Sequence, residues 1–152
     1  MEVTRAQLRR TSILLYRIDE IYYHIAKTLG VTENMLVLLY ALNDGKAHTQ
    51  KEICQEWLLP KTTINTLVQE CAAAGHIHLE PHAREKTVRL TTQGKAYAEE
   101  LLAPVYAAEE AAIKAAGPVL STALERFADG LQTEFDRYML QGETYENQNS
   151  TV

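Results

Sequence analysis

Covalent and metal chemistry have little to work with in this sequence. The two cysteines, Cys54 and Cys71, stand 17 positions apart. No pair or cluster has zinc spacing. Both fall on the expected apolar side of a helix, where a free cysteine behaves as a small buried hydrophobe. A redox-sensing thiol would want an exposed site beside a cation or a helix start, and neither position offers one. There is no Gly-x-Ser-x-Gly, no Gly-rich phosphate loop and no acid pair in an apolar setting. No catalytic residue, cofactor or metal is therefore expected. Glu99-Glu100 and Glu109-Glu110 read as solvated helix faces. His76 and His78 are expected on one side of a strand, but three or four converging ligands are missing. No long uncharged apolar run exists and Met1-Glu2-Val3 opens no signal sequence, so a cytoplasmic protein without membrane contact is expected.

Excess positive charge is also lacking: the net charge is -5. That alone argues against nucleic acid, which attracts basic surfaces. The distribution reverses the inference. Between Lys46 and Lys95 seven Lys/Arg face five acids, a local +2, whereas the remainder carries eight against fifteen, or -7. The same middle segment holds four of the five histidines. An acidic body with a mildly basic centre suits a protein that touches DNA with one lobe.

The periodicity predicts six helices and a hairpin, a mainly α chain with a small β element. Leu8, Leu14, Leu15, Ile18, Ile21, Tyr22 and Ile25 make a first helix from about Thr4 to Leu29, stopped at Gly30. Thr32-Glu33 opens a second, striped with Met35, Leu38, Leu39 and Leu42 and closed by Asn43-Asp44-Gly45. Thr49-Gln-Lys-Glu52 matches a capping box, so a third helix runs from Thr49 to about Trp57 with Ile53, Cys54 and Trp57 inward. Leu58-Leu59 is the tight connection to a fourth, Pro60 to Ala74, since the fixed φ of proline suits a first turn. After Gly75 the period changes to two, giving strands Ile77–Glu80 and Lys86–Leu90 around a five-residue loop, Pro81 to Glu85. An Ala-rich helix follows Gly94, with Pro104 expected to bend or split it. The last runs from about Val119 to Leu140 with Leu124, Phe127, Leu131, Phe135 and Tyr138 on one stripe. The polar tail 142–152 is expected to be disordered.

The fourth helix carries the functional reading. Ile64, Leu67, Val68 and Cys71 anchor it, and Lys61, Thr62, Asn65, Thr66 and Gln69 occupy the opposite face. Asn and Gln bond adenine bidentately, Lys and Thr hold phosphates, and Thr methyls touch thymine. Ordinary solvated faces are rich in Glu and Lys; this one is free of acid before Glu70. In the hairpin loop Arg84 and Lys86 suit entry into a narrow minor groove, with a plain solvated turn as the alternative. Tyr16, Tyr22 and Tyr23 at one end and Phe127, Phe135 and Tyr138 at the other would bury each other across a two-fold axis, or fill a larger monomer core.

In the order of elements, and in the run Thr49-x-x-Glu52-Ile53-Cys54, Pro60-Lys-Thr-Thr-Ile-Asn65, Gly75-His-Ile77 and Arg84-x-Lys-x-Val-Arg-Leu-Thr-x-x-Gly94, the chain resembles the MarR (multiple antibiotic resistance regulator) family of winged helix-turn-helix regulators. The resemblance covers nearly the whole chain and is most specific at Leu90-Thr91-x-x-Gly94. It implies one MarR-like domain over 1–141, with a DNA-binding lobe at about 32–92 and dimerisation helices at about 4–29 and 93–141. It further implies a homodimeric, mostly repressing transcription factor on an inverted repeat of double-stranded DNA, often released by a small aromatic or anionic effector. Tyr16, Tyr23, His24, Met35, Tyr40 and Trp57 would line such a pocket, or serve only as core. The chain departs from the family pattern at three places: His82 replaces the usual wing acid, Leu58 a turn glycine, and Thr66 a frequent arginine. A winged-helix module that binds protein instead of DNA is the competing expectation.

Overall fold

The computed structural model describes residues 2–82 and 85–149. Its elements are α1 (Arg5–Thr28), α2 (Glu33–Leu42), β1 (His48–Thr49), α3 (Gln50–Trp57), α4 (Lys61–Ala73), β2 (Ile77–His82), β3 (Glu85–Leu90), α5 (Thr92–Ala116) and α6 (Leu120–Asn149). The chain is mainly helical with one small antiparallel sheet, as the periodicity predicts. It divides into two compact units, Met1–Tyr106 and Ala107–Val152.

Local signals place the helix ends. Thr4 caps α1 with its hydroxyl and Gln7 reaches back to the Thr4 amide, 2.8 Å away. Thr49 and Glu52 repeat this capping box on α3: the Glu52 amide donates to Thr49 Oγ1 at 3.1 Å, and the Thr49 amide to Glu52 Oε2 at 2.7 Å. Each box satisfies amides that a helix start leaves without intrahelical partners. At the end of α4 the His76 amide donates to Cys71 O and the Gly75 amide to Ala72 O. This pair of bonds requires a left-handed residue at Gly75, which has φ +78°.

Within the first unit α2 is buried from two sides. Leu38, Ala41 and Leu42 join Ile53 of α3, Ile64, Leu67, Val68 and Cys71 of α4, and Ile77 and Val88 of the sheet in one core. Leu36 and Leu39 join Ala26 of α1 and Ala98, Leu102 and Val105 of α5 in a second. Burying a side chain such as Ile64 or Val68 completely stabilises the fold by about 1.5–3 kcal/mol.

The structure corrects the sequence reading at five places. A third strand, β1, pairs with β3 through His48↔Val88 and Thr49↔Thr87, giving the order β1-β3-β2. β2 continues through Pro81 and His82, where a loop was expected; it is an edge strand, and an edge tolerates the amide that proline lacks. His76 precedes the strand, so it does not share a strand face with His78. Pro104 lies inside a single helix, α5, and so does not split it, one of the two outcomes expected; its Ala-, Glu- and Leu-rich neighbours are strong helix formers and offset the one backbone bond lost. α6 runs to Asn149, past the expected end at Leu140 and through most of the tail expected to lack structure. Beyond Gly142 that tail contains no proline to stop the helix.

In the second unit α6 presents one apolar stripe. Leu124, Phe127, Leu131, Phe135 and Tyr138 are all exposed in the single chain. The α1 surface of the first unit is similar, with Leu8, Ile18, Ile21 and Tyr22 exposed and only Ala26 buried.

Candidate nucleic-acid interface

The face of α4 is built by its anchor. Ile64 and Val68 are fully buried, and Leu67 and Cys71 are nearly so. The Cys71 thiol lies 3.4 Å from the Met35 sulfur of α2, and burial pushes its pKa up, so it is a packing residue rather than a reactive one. Fixing these four residues leaves Lys61, Thr62, Asn65, Thr66 and Gln69 all exposed on the other side, as the helical period requires. Thr66 turns its hydroxyl back to the Thr62 carbonyl at 3.1 Å and presents its methyl. Pro60 is the N-cap and offers no side-chain bond, and the first turn contains no acid. The positive end of the α4 dipole is therefore not neutralised by its own sequence.

The turn entering α4 is strained. Leu58 sits in the left-handed region at φ +53°, ψ +34°, and its side chain is 86% exposed. An L residue pays about 1–2 kcal/mol for that conformation, which glycine adopts freely. Leu58 occupies the turn position where the family resemblance leads one to expect glycine, and the backbone still takes the glycine geometry.

The wing is β2 and β3, with Lys86 exposed opposite Pro81. Arg84 lies outside the described residues. Arg89, opposite His78, is exposed on the flank of β3. The sheet is joined to the helix-turn-helix by β1, whose Thr49 is also the cap of α3. Before it, Asp44 accepts the Lys46 amide at 2.9 Å and faces His48 Nε2 at 3.0 Å with both oxygens. Partial burial pushes the Asp44 carboxyl up, but the bonds from His48 and the Lys46 amide outweigh it and hold the group below its usual value. This pair was not found from sequence; the four-residue spacing of Asp44 and His48 was the only available signal.

The Leu90-Thr91-x-x-Gly94 motif has a mechanical explanation. Thr91 Oγ1 donates to Gly75 O at 2.7 Å and accepts the Gly94 amide at 2.9 Å, while the Thr91 amide donates to His76 O at 3.0 Å. A Cβ on Gly94 would lie 1.9 Å from His76 O. Only glycine lets the first turn of α5 come so near the end of α4. His76 then stacks on Tyr97 with centroids 4.4 Å apart and planes 13° from parallel. Threonine, glycine and histidine together pin the C-terminus of the candidate recognition helix to α5.

The residues named for an effector pocket separate into two groups. Tyr40 packs against Trp57 at 5.6 Å and against Tyr106 at 5.0 Å, and Asn43 Nδ2 donates to the Tyr106 hydroxyl at 3.2 Å. Asn43 Oδ1 is buried with no hydrogen-bond partner among the described residues. Met35 is half-buried between the two cores. Tyr16, 77% exposed, Tyr23, and His24, which faces Glu20 at 3.0 Å, lie on the outer surface of α1. Tyr106 and Asn43 are not among the pocket residues expected from sequence. Among the described residues no three His, Cys, Asp or Glu side chains converge on a metal position. No single helix there is long and apolar enough to cross a membrane.

A capped helix-turn-helix with a β wing defines the class, and comparison with known proteins finds the same fold. Residues 29–86 match the MarR family model. The chain is similar to a MarR family regulator from Neisseria meningitidis, 24% identical over 90% of this chain and 98% of that one, with a TM-score of 0.76. It is also similar to NadR in complex with 4-hydroxyphenylacetate, at 13% identity over 86% and 96% of the two chains and a TM-score of 0.67. The Bordetella bronchiseptica protein BpsR, whose DNA binding is regulated by 6-hydroxynicotinic acid, matches at 19% identity over 80% and 93%, with a TM-score of 0.59. No curated protein sequence matches the chain.

Proposed function

We propose that this chain is a sequence-specific DNA-binding transcriptional regulator, a cytoplasmic homodimer that represses from an inverted-repeat operator and performs no enzymatic chemistry. The observation that carries the reading is α4, whose four apolar residues are fixed in the core while Lys61, Thr62, Asn65, Thr66 and Gln69 are all free of it. Asn65 and Gln69 suit bidentate bonds to adenine edges, and the Thr66 methyl suits thymine. Lys61 suits phosphate, and Arg84 and Lys86 of the wing suit phosphate and the minor groove. The exposed stripes of α1 and α6 support a two-fold partner, which would set two recognition helices about one DNA turn apart.

A small aromatic acid is the effector class that the relatives suggest, 4-hydroxyphenylacetate in one and 6-hydroxynicotinic acid in another. In this chain Tyr40, Trp57 and Tyr106 supply aromatic walls, and Asn43 an acceptor without a partner among the described residues. Trp57 ends α3, so a ligand wedged against it would shift the helix-turn-helix and lower DNA affinity by its differential binding to the two arrangements.

The test is selection of bound fragments from genomic DNA by the purified chain. Asn65→Ala should relax base preference at one operator position, at a cost of about 1–3 kcal/mol, and Arg84→Ala should weaken binding to every sequence and flatten its salt dependence. If neither variant alters retention on DNA at low salt, the protein-binding reading takes its place.

A further inference from the structure

A cleft of about 200 Å³ opens at the base of the wing, between the end of α2, β3 and the start of α5. That volume holds a small tetrahedral anion and a few waters, at about 30 Å³ for each water. Arg89 lines it from β3 and Lys95 from α5, and Asn43, just past the end of α2, is part of its wall. No acid and no aromatic ring is among the described residues that line it. The Arg89 side chain has no ion pair and no hydrogen bond among the described residues. Lys95 faces Glu99 at 3.7 Å, and both are more than half exposed, so water screens the pair and it yields readily to another anion. Asp44 follows Asn43 in the chain, but its carboxylate is engaged by His48 and the Lys46 amide. The start of α5 adds donors. Thr91 Oγ1 accepts the Gly94 amide and Thr91 O the Lys95 amide, whereas the Thr92 and Gln93 amides bond to nothing among the described residues. The first turn carries no acid, so the positive end of the helix dipole is not neutralised there. Against these donors stands one acceptor: Asn43 Oδ1 is buried with no hydrogen-bond partner among the described residues, Nδ2 being the atom bonded to Tyr106.

We propose that this cleft binds inorganic phosphate, as the hydrogen phosphate dianion. Arg89, Lys95 and the Thr92 amide donate to the three oxygens that carry no proton, and the one hydroxyl that the ion keeps at neutral pH donates to Asn43 Oδ1. That acceptor selects among tetrahedral anions. Sulfate has no hydroxyl at neutral pH, and a doubly ionised phosphate monoester has none to give either, so only hydrogen phosphate gains the Oδ1 bond. The lack of aromatic lining sets the cleft apart from the Tyr40, Trp57 and Tyr106 cluster, where a planar acid has rings to lie against. Bound phosphate ties the end of α2, the wing strand β3 and α5 to one another. The inference does not depend on DNA binding, because the ligand is titrated against the protein without DNA.

The experiment titrates the full chain with potassium phosphate, potassium sulfate and glycerol 3-phosphate at about pH 8 and constant ionic strength, and follows backbone amide NMR shifts. Phosphate should give saturable shifts at Thr92 and Gln93 and bind at least about tenfold more tightly than sulfate or the ester. Asn43→Ala should abolish that preference and leave sulfate affinity within about twofold of the wild type, a split that general damage to the fold does not produce. Arg89→Gln should weaken all three anions by about tenfold or more. Lys114→Gln, at a cation paired with Glu110, should change nothing. Circular dichroism confirms that each variant is folded. Wild-type protein that binds sulfate as tightly as phosphate overturns the assignment, as do phosphate-induced shifts that spare Thr92 and Gln93. Phosphate affinity unchanged by Arg89→Gln, or no saturable phosphate binding at all, overturns it equally.

Discussion

The lobe built on α2, α3, α4 and the sheet and the long terminal helices α1 and α6 treat apolar side chains in opposite ways. α4 buries four of its 13 residues and α1 one of its 24. The stripe of α6 from Leu124 to Tyr138 is exposed throughout. The hydrophobic periodicity of the two regions is equally clear, so amphipathicity alone does not tell a core element from one whose partner lies elsewhere. What separates them is the neighbour. α4 meets α2, α3 and β2 in its own chain, and its polar face is what remains for a ligand. The stripes of α1 and α6 remain available to a second copy. Large exposed apolar patches of this kind mark interaction sites.

The largest expected effect breaks the lobe. Ile64→Ala removes a fully buried side chain at the junction of α2, α3 and α4. It should cost about 2–5 kcal/mol, measured by urea unfolding, and the loss should not depend on protein concentration. Gly94→Ala should cost somewhat less, about 1–3 kcal/mol, because the helix start can back away from His76 O by straining the Thr91 bonds. If Gly94→Ala has the stability of the wild type, the close approach of α5 to the end of α4 is not what the motif maintains.

Terminal-helix variants should behave differently. Phe127→Ala removes an exposed ring, so it should leave the unfolding of a dilute monomer within about 0.5 kcal/mol of the wild type. It should instead weaken self-association, by about 1–2 kcal/mol as a buried interface aromatic would, read by sedimentation across a concentration series. A stability loss without a change in association would place Phe127 in an intramolecular core and dissolve the contrast between the two regions.

Much of the lobe was legible in the sequence because its signals are local. The capping box at Thr49 and Glu52, the 3.6-residue period of α4 and the break at Gly75 each act within one or two turns. The unread features depend on elements distant in sequence. β1 is two residues long and exists only because β3 offers it an edge. Arg89 on the flank of β3 is unremarkable until Asn43 is folded beside it. The Thr91 and Gly94 signature was recognisable as a motif, but its purpose, holding α5 against the end of α4, needed the His76 carbonyl in place. Tyr40 and Trp57 were singled out, whereas Tyr106, which completes their cluster, is 49 residues beyond Trp57.

A smaller effect, of opposite sign, comes from the turn. Leu58→Gly relieves a left-handed L residue whose side chain is almost fully exposed, so little packing is lost. The strain relieved, about 1–2 kcal/mol, is partly offset by the greater freedom of glycine in the unfolded chain. A net gain of about 0.5–1 kcal/mol in urea unfolding is expected. A loss would show that the Leu58 side chain is held by contacts worth more than the strain.

The smallest effect separates the two regions by pH. Asp44 lies in the lobe, at the base of β1, and its carboxylate is bonded by His48 and the Lys46 amide. Its folded pKa is lowered from the ordinary 3.8. The stabilisation is therefore present above about pH 4 and lost as pH falls through the lower folded value, where the native carboxylate takes up its proton. With the Asp44 side chain 39% exposed, solvent screening limits the gain to about 0.2–1 kcal/mol. Asp44→Asn should thus be less stable than the wild type at pH 7 by no more than this, and the two unfolding curves should converge between about pH 4 and 2. A gap that persists unchanged to pH 2 would assign the difference to the neutral geometry of the turn, since no carboxylate charge would remain to explain it.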